Sequence, residues 1–286
     1  MKSSIKIIDK GFYTSIQDNG RFGYRGIGVP VSGPMDYFSF NKANSLVENY
    51  NYEALLESTF RGPKILFSGN CKVAVTGAEV VIKKNDELMK LNEPFLCELG
   101  DVLDIGVVKN GFRNYISFRG GLTNEKKFGS YSQYYPITSN GTVAKGQNIF
   151  LKGSKKNIHT NHISTKKMKL NNVLEVYQGP FWNKLDNQLK NKIEKSEYRI
   201  GSNNRMAYIL TGIGLKNEIS THSRSVIPGT VQLTPNGELI IVMRDGQVTG
   251  GYPRILQLTE NSQSKLAQLG TGKLITFKIS VQNRFH

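Results

Sequence analysis

Short apolar runs closed by glycine, asparagine or aspartate dominate the stretch from about residue 52 to 122. They read CKVAVTG, VVIKK, PFLCELGDVLDIGVV and FRNYISFRGG. Runs of this length with turn residues between them predict a meandering antiparallel sheet or barrel. Residues 5–34 are denser in glycine, proline and aromatic residues, so we expect one short opening strand there and otherwise a functional loop.

The same pattern returns in the second half, where VLEVYQG, RMAYILTGIG, TVQLTPNGELIIVM, GYPRILQLT and KLITFKIS are β-like. Pro235, Asn236 and Gly237 interrupt the third run and predict a hairpin turn. No repeat period is visible in the letters, yet both halves share a β-rich plan. The pattern therefore predicts a mainly β fold of two similar barrels with a few short helices.

Helical spacing occurs in three segments. The first predicted helix spans about 36–48, with Asp36 as its cap. The second follows the apolar stripe of Leu185, Leu189 and Ile193. The third spans Ser262–Leu269, with Ser262 as its cap and Gly270 as its end.

The two β-rich halves are joined by a basic stretch, KGSKKNIHTNHISTKKMK, with six lysines and two histidines but no acid. We expect a solvated linker at 156–169 between an N-terminal domain at 1–155 and a C-terminal domain at 170–286. His159 and His162 stand three residues apart and could meet a metal on one helical turn. No third ligand lies nearby, so no metal site is expected.

The charge and the cysteine content limit the partners and the cellular location that we expect for this protein. In 286 residues, 38 Lys+Arg against 22 Asp+Glu give a formal net charge of +16. The cations are scattered and no zinc-finger spacing, RNP-type run or basic zipper occurs, so no nucleic-acid partner is expected. No apolar run is long enough for a membrane and no signal-type N-terminus is visible, which predicts a cytoplasmic protein. Cys71 and Cys97 lie in apolar runs and are expected to be buried free thiols.

Common catalytic signatures are absent from the sequence. There is no HExxH, GxSxG, CxxC or EF-hand pattern. Ala267–Leu274 approaches a phosphate loop but lacks its first glycine and its hydroxyl, and Gly212–Gly214 lacks the third glycine of a dinucleotide fingerprint. A nucleotide would therefore bind in some other way.

Two loops hold the candidate chemistry. The first runs from Gln17 to Asp36 and combines carboxylates, an amide and two arginines with glycines that let backbone N–H groups approach a ligand. Arg21 suits a carboxylate or phosphate, and Asp18 or Asp36 suits proton transfer or Mg²⁺. The structural alternative is equally open: Asp18 starts a turn, Asp36 caps a helix and Arg21 pairs with either.

The second loop, RDGQVTGGYP at 244–253, places a glycine pair between polar groups. A plain turn before Tyr252 and Pro253 is its structural alternative.

Together, these loops and their neighbours resemble a known family. The runs, in chain order, are QDNGRFGYRGIGVPVSGPMD, ALLE with RGP shortly after, VTGA, SFRGGL, SNNRMAYIL, SVIPGTVQLTPNGE and RDGQVTGGYPRI. They resemble the allophanate hydrolase subunit 2 family, also called the biotin-dependent carboxyltransferase family, which includes the C component of 5-oxoprolinase and the KipI antagonist. The resemblance covers about residues 11–280.

The resemblance implies two cyclophilin-like β-barrel domains and a role in a multi-component enzyme, in which this chain is inactive alone. The implied activity is that of the C component of an ATP-dependent 5-oxoprolinase. Such an enzyme converts 5-oxoproline to glutamate with a KipI-like (allophanate hydrolase subunit 1-like) partner and a LamB/YcsF-like partner. ATP, with or without Mg²⁺, would act at the level of the complex.

Two alternatives to this activity stay open. One is a regulatory protein that binds a KipI-like inhibitor of a sensor kinase. The other is a carboxyltransferase component for a urea-like amide, served by a separate biotin carrier.

Site residues follow from the same resemblance. The catalytic candidates are Asp18, Arg21, Asp36 and Arg205. The substrate-binding candidates are Gln17, Ser32, Gly33, Met35, Gln232, Thr249, Gly250, Gly251 and Tyr252. The two arginines are expected to bind anions, the aspartates to handle protons or a metal, and the glycine pair to line the substrate.

Departures from the family pattern occur at two positions. Tyr131 and Gln147 stand where family members usually have an arginine and an aspartate, which puts the substrate in doubt. No lysine lies in an Ala-Met-Lys-Met context, so no covalently attached biotin is expected.

Overall fold

A computed structural model describes residues 3–153, 171–211, 214, 219 and 221–280. Within these ranges the chain is mainly β, with three α-helices, α1 (Tyr37–Leu46), α2 (Asn187–Lys195) and α3 (Glu260–Ala267). The described residues divide into a first unit, 3–22 with 32–153, and a second unit, 23–31 with 171–280. The segment 23–31 thus belongs with residues far along the chain. The proposed linker, with His159 and His162, lies outside the described residues.

The first unit is built on one antiparallel sheet in the order β2-β3-β8-β4-β1-β9, with β5 also paired to β8 and flanked by β6 and β7. Its strands are β1 (Ser4–Asp9), β2 (Tyr13–Gln17), β3 (Leu55–Thr59), β4 (Lys64–Phe67), β5 (Cys71–Lys84), β6 (Glu87–Met89), β7 (Pro94–Cys97), β8 (Val102–Phe118) and β9 (Asn148–Phe150).

Both faces of this sheet are buried along β2, β3 and the last residues of β8. Ile16, Leu56 and Ile116 point into the main apolar core. The opposite face of the same strands contributes Leu55 and Tyr115 to a smaller cluster that includes residues of α1. Successive strand residues alternate between faces, so polar residues interleaved with these apolar ones are buried under α1 and its preceding loop.

The second unit contains a closed seven-stranded barrel in the order β10-β17-β14-β15-β12-β11-β18. Its strands, with the separate pair β13–β16, are β10 (Val173–Gln178), β11 (Tyr198–Asn203), β12 (Ala207–Thr211), β13 (Arg224–Ser225), β14 (Thr230–Leu233), β15 (Leu239–Val242), β16 (Thr249–Gly250), β17 (Arg254–Leu258) and β18 (Leu274–Ile279). Among the described strands, only β10 and β18 pair in parallel. The predicted mainly β fold with barrel-like sheets is confirmed.

The helix predictions hold in part. Asp36 is the N-cap of α1, and its carboxylate accepts from the Ser39 amide at 3.0 Å. Helix α2 buries Leu189 and Ile193, but Leu185 precedes the helix, whose cap is Asp186. These two outcomes show that apolar spacing located the helices and that a short acidic side chain marked each start.

The predicted start and cap of α3 were wrong. The helix runs from Glu260 to Ala267, and its cap is Thr259, whose hydroxyl accepts from the Ser262 amide at 3.1 Å. Ser262 is therefore the third residue of the helix, although both hydroxyls are competent caps. The helix ends at Ala267 with Gln268 as its C-cap, two residues before Gly270.

Two further sequence expectations concern turns and strands. The hairpin at Gly237 is confirmed: this glycine has φ 83° and its amide donates to the Thr234 carbonyl at 3.0 Å. The expectation of a single strand in 5–34 was wrong, because Tyr13–Gln17 forms a full ladder with β3. Pairing with a distant strand overrides the local turn formers there.

Cys71 and Cys97 are free and buried, as expected. They stand opposite each other on β5 and β7. Burial raises the pKa of Cys71 to about 11 and that of Cys97 to about 12. Both sulfurs are thus protonated at neutral pH.

No helix among the described residues has the length and apolar character needed to cross a membrane.

Candidate functional site

The Asp18 carboxylate organises a loop cluster in the first unit. Its Oδ1 accepts from the Gly20 amide at 2.9 Å and from the hydroxyls of Ser130 at 2.5 Å and Ser132 at 2.8 Å. Its Oδ2 accepts from the Tyr131 amide at 2.6 Å. Three of the four donors bond to Oδ1 and one bonds to Oδ2, so both carboxylate oxygens are engaged by the protein. Asp18 therefore holds residues 130–132 against the loop at 18–20.

Arg21 extends the same cluster. Its Nη1 donates to Ser32 Oγ at 2.8 Å, Nη2 to the Ser132 carbonyl at 2.5 Å, and Nε to the Lys127 carbonyl at 3.5 Å. The side chain is only 1% exposed. Arg21 thus fastens two separate loops to each other, and its planar fork reaches both at once.

Ser32 and Gly33 form a strained corner beside Arg21. Ser32 has φ 56° and Gly33 has φ 83°, the left-handed region that glycine adopts readily and other residues rarely. A Cβ at Gly33 would also lie 3.2 Å from the Asn19 backbone. Backbone strain in a buried loop persists only where its surroundings hold it, and such corners are common at functional sites.

Two sheet residues that the sequence did not suggest fix the next turn of this loop. Glu57 Oε2 accepts from the Met35 amide and the Tyr115 hydroxyl accepts from the Asp36 amide, each at 2.8 Å. Burial, followed by the charges of Glu57 and Asp36, raises the pKa of Tyr115 well above its ordinary value. One signal was available, since Glu57 is an acid inside the otherwise uncharged strand LLEST.

Both oxygens of the Asp36 carboxylate cap helix α1. Oδ1 accepts from the Ser39 amide and Oδ2 from the Ser39 hydroxyl at 2.6 Å. Gln17 donates to Ser15 Oγ at 2.9 Å, while its Oε1 is buried without a hydrogen-bond partner among the described residues. Of the seven predicted site residues in the first unit, the structure thus joins Asp18, Arg21 and Ser32 through hydrogen bonds, with Gly33 next to them. The other three, Gln17, Met35 and Asp36, make their hydrogen bonds to different residues.

The two positions that depart from the family pattern fall in different places. Tyr131 belongs to the Asp18 cluster, and its ring receives the ammonium groups of Lys152 at 4.7 Å and Lys126 at 5.6 Å. Gln147 lies apart from the cluster, in a turn where its Oε1 accepts from the Ala144 amide at 2.9 Å.

In the second unit, Arg205 is paired rather than open to a ligand. Its Nε donates to Asp245 Oδ2 at 2.7 Å and its Nη2 to Oδ1 at 3.3 Å, and both side chains are buried. The Asp245 amide also donates to the Arg205 carbonyl at 2.9 Å. This forked ion pair joins the turn before β12 to the turn after β15.

The remaining second-unit candidates line the loop at 249–252. Gln232 is buried and its Nε2 contacts the Tyr252 carbonyl at 3.4 Å. A Cβ on Gly250 would lie 2.3 Å from that Nε2, so a side chain cannot be added there without moving Gln232. Thr249, Gly251 and Tyr252 are exposed. These exposed groups are accessible to a ligand as they stand.

A metal centre is not evident in the part of the chain that the structure describes, since no three His, Cys, Asp or Glu side chains gather there. Asp18 and Asp36 use their oxygens on protein donors.

The sequence of this chain matches a known protein family. Residues 27–279 match the family model described as "Carboxyltransferase domain, subdomain A and B". The chain belongs to the carboxyltransferase domain family. The match spans both units and includes the corner at Ser32 and Gly33, residues 130–132 and the 249–252 loop, whereas Asp18 and Arg21 precede its first residue.

Two curated relatives of this carboxyltransferase domain have different names. The chain is 30% identical over 280 residues to the C component of 5-oxoprolinase from Escherichia coli (strain K12), covering 96% of this chain and 90% of that protein. It is 38% identical over 160 residues to urea amidolyase of Saccharomyces cerevisiae, covering 54% of this chain and 9% of that protein.

A solved structure shows the same fold. The crystal structure of the K. lactis urea amidolyase superposes with a TM-score of 0.87 at 30% sequence identity over 97% of this chain. This carboxyltransferase domain spans only 19% of that much longer chain. The domain thus occurs both as a chain of its own length and as a small part of a large enzyme.

Proposed function

We propose that this chain is the C component of an ATP-dependent 5-oxoprolinase, which opens the lactam of 5-oxoproline to glutamate. The observation that carries the proposal is the 30% identity to a protein of that name over 96% of this chain and 90% of the relative. Coverage of nearly both full lengths favours a shared role over a shared domain alone. The urea amidolyase match covers only 9% of its relative.

In this proposal the chain is inactive alone. It works in the cytoplasm with a KipI-like partner and a LamB/YcsF-like partner. The relative's name marks it as one lettered component among others, which supports an enzyme of several subunits.

The proposed reaction requires hydrogen-bond donors on this chain rather than a nucleophile. Opening the lactam adds one water across its C–N bond, and ATP is hydrolysed to ADP and phosphate alongside. Negative charge develops on the lactam oxygen as the bond is activated, and preorganised N–H groups stabilise such charge. Backbone amides in loops meet this need, and the exposed Gly251 in the 249–252 loop supports a substrate position there.

The contacts support a positioning role for the four catalytic candidates. Asp18 and Arg21 hold the loops around Ser32, Asp36 caps α1, and Arg205 is neutralised by Asp245. Both oxygens of each aspartate accept from protein donors, and among the described residues no group of three acidic, histidine or cysteine side chains gathers around either one. The aspartates as placed therefore do not fit a magnesium site, and no step of the proposal runs through one on this chain.

The test is reconstitution. The chain is co-expressed with its KipI-like and LamB/YcsF-like partners, and ADP and glutamate are measured after addition of 5-oxoproline, with each protein omitted in turn. We expect both products only when all three are present. Products without this chain would refute the proposal. A complex that forms yet releases neither product would favour a regulatory role.

A second candidate function is carboxyl transfer to a urea-like amide. It is favoured by the family description and by the 38% identity to yeast urea amidolyase. The same preparation is supplied with urea, bicarbonate, ATP, a biotin carboxylase and a biotinylated carrier. Urea-dependent ADP release that needs this chain would support this candidate, and its absence together with oxoprolinase activity would exclude it.

A further inference from the structure

Four cationic side chains of the second unit gather around strand β13. The Nη1 of Arg254 donates to the Ser225 carbonyl at 2.7 Å. The Nη2 of Arg25 lies 3.4 Å from Ser225 Oγ and also donates to the Val226 carbonyl. One serine therefore contacts two guanidinium groups, although Arg25 and Arg254 are far apart in sequence.

The other two cations share one aromatic ring. Arg224 Cζ lies 6.0 Å and Lys184 Nζ 5.0 Å from the centroid of Phe181. The Phe181 amide donates to the Arg254 carbonyl at 3.1 Å, which ties this ring to the first pair. Arg25, Arg224, Arg254 and Lys184 thus form one group, which we call the β13 cation cluster.

Within the described residues, none of these four side chains makes an ion pair with a carboxylate. Arg205 of the same unit shows the contrasting state, since Asp245 neutralises it. Like charges close together repel, and the repulsion grows where water is partly excluded. Burial lowers the pKa of Arg25, which is consistent with a site that is partly dry. A bound multivalent anion would remove both penalties.

The four cationic side chains differ in their exposure. Arg224 and Lys184 are exposed, whereas Arg25 and Arg254 are half-buried. The Nε of Arg254 is buried and makes no hydrogen bond among the described residues. Guanidinium forks match the paired oxygens of phosphates and carboxylates.

We propose that the β13 cation cluster binds a small multivalent oxyanion, a molecule carrying phosphate or several carboxylate groups. The inference is independent of the oxoprolinase proposal, because it concerns binding by this chain alone and is measured without partner proteins or turnover.

The test is isothermal titration calorimetry of the full chain at fixed ionic strength, with sodium pyrophosphate in one arm and citrate in the other. We expect saturable binding of at least one anion. Tighter binding of pyrophosphate would identify the ligand class as phosphates, and tighter binding of citrate would identify polycarboxylates. Arg224→Gln and Arg254→Gln should each weaken binding about 10-fold, the size of one charge-assisted hydrogen bond. The double variant should abolish it.

Arg199→Gln is the matched control. Arg199 Nη1 donates to a backbone carbonyl, that of Gly272, at 3.2 Å, so this variant also removes one charge and one such bond, but in another part of the unit. We expect its affinity to stay within twofold of the parent. An equal loss in Arg199→Gln would show that net charge alone attracts the anion, and an absence of saturable heat with either anion would refute the site.

Folding does not confound the result. Arg224 is exposed, and among the described residues its side chain makes no hydrogen bond or ion pair and has one ring contact, with Phe181, so Arg224→Gln should melt within a few degrees of the parent. If Arg254→Gln fails to fold, Arg224→Gln and the charge reversal Arg224→Glu decide the question, and unchanged binding in both would overturn the proposal.

Discussion

Polar groups are concentrated in both units, but they are satisfied differently. In the first unit, the charges of Asp18 and Arg21 end on hydroxyls and backbone groups of the same loops. In the second unit, Arg224 and Lys184 lack a carboxylate partner among the described residues. A dense polar cluster can therefore be scaffolding, whereas a group of charges without counter-ions is the better indication of a ligand site.

The second unit contains both a neutralised arginine and a group of cations without carboxylate partners among the described residues, so the two situations can be compared within one unit. Arg205 and Asp245 neutralise each other in a buried fork. Removing one partner of such a pair should cost far more than removing one member of the β13 cation cluster.

Asp245→Ala should have the largest effect on stability. It leaves the buried Arg205 guanidinium without its counter-ion, and breaking a buried pair in this way costs about 3–5 kcal/mol. The measurement is the free energy of unfolding in urea. The double change Arg205→Met with Asp245→Leu should regain most of the loss, because no buried charge then remains. A single variant that loses less than about 1 kcal/mol would show that the pair is not buried as described.

Asp18→Asn should cost about 2–3 kcal/mol. One carboxylate oxygen becomes an NH₂ group, so a donor then faces either the Tyr131 amide or the serine hydroxyls. Cys71 and Cys97 are buried in the same unit, and their rate of labelling by a thiol reagent at pH 8 should rise with the loss of stability.

The control for Asp18 is Asp9→Asn, which weakens an exposed contact with Arg61 at 3.3 Å. It should change stability by less than about 1 kcal/mol and leave thiol labelling unchanged. Equal effects of the two changes would mean that the Asp18 cluster is no better organised than the surface.

Gly250→Ala should cost about 1–2 kcal/mol, because the new methyl group displaces the buried Gln232 amide. Gly251→Ala is its neighbour and control. No atom lies within 4 Å of a Cβ there, so its melting temperature should match that of the parent. If the 249–252 loop contacts substrate, Gly250→Ala should also raise KM in the reconstituted enzyme. A silent Gly250→Ala would mean that the loop adapts freely.

Tyr115→Phe should have the smallest effect at neutral pH, about 1 kcal/mol, from the lost acceptor for the Asp36 amide. Its signature is in alkali. The folded chain keeps this phenol protonated because its pKa is raised, whereas the unfolded chain releases the proton above about pH 10. Stability therefore falls as pH rises past about 10, and the fall should be shallower in Tyr115→Phe. Parallel pH profiles would contradict the raised pKa.

The spacing of apolar residues and the positions of capping residues predicted the features that depend on neighbouring residues alone. Apolar spacing found the helix at Leu189 and Ile193, and Asp36 was recognised as a cap from its place before an apolar stripe. The cap of α3 was missed because Thr259 and Ser262 are chemically equivalent candidates three residues apart. Local sequence ranks such alternatives poorly, since the surrounding fold chooses between them.

The site was predictable only as a set of loops. Residues 130–132 close on Asp18 across more than a hundred positions, and no local signal joins them. Tyr115 and the Asp36 amide are 79 positions apart, and no local signal joins them either. Arg205 was expected to bind an anion, and only the fold shows that Asp245 already neutralises it. Long-range partners of charged residues decide their roles, and spacing along the chain does not reveal them.

The membership of residues 23–31 in the second unit has a consequence for biosynthesis. Arg25 reaches the Val226 carbonyl across 201 positions. A ribosome adds about 5–20 residues per second, so this contact waits about 10–40 s after Arg25 has been made. During that interval the exposed side chain of Ile27 and its neighbours belong to a half-finished unit. A fragment that begins after residue 31 would contain every strand of the barrel but would lack this segment, so it would not be the whole second unit.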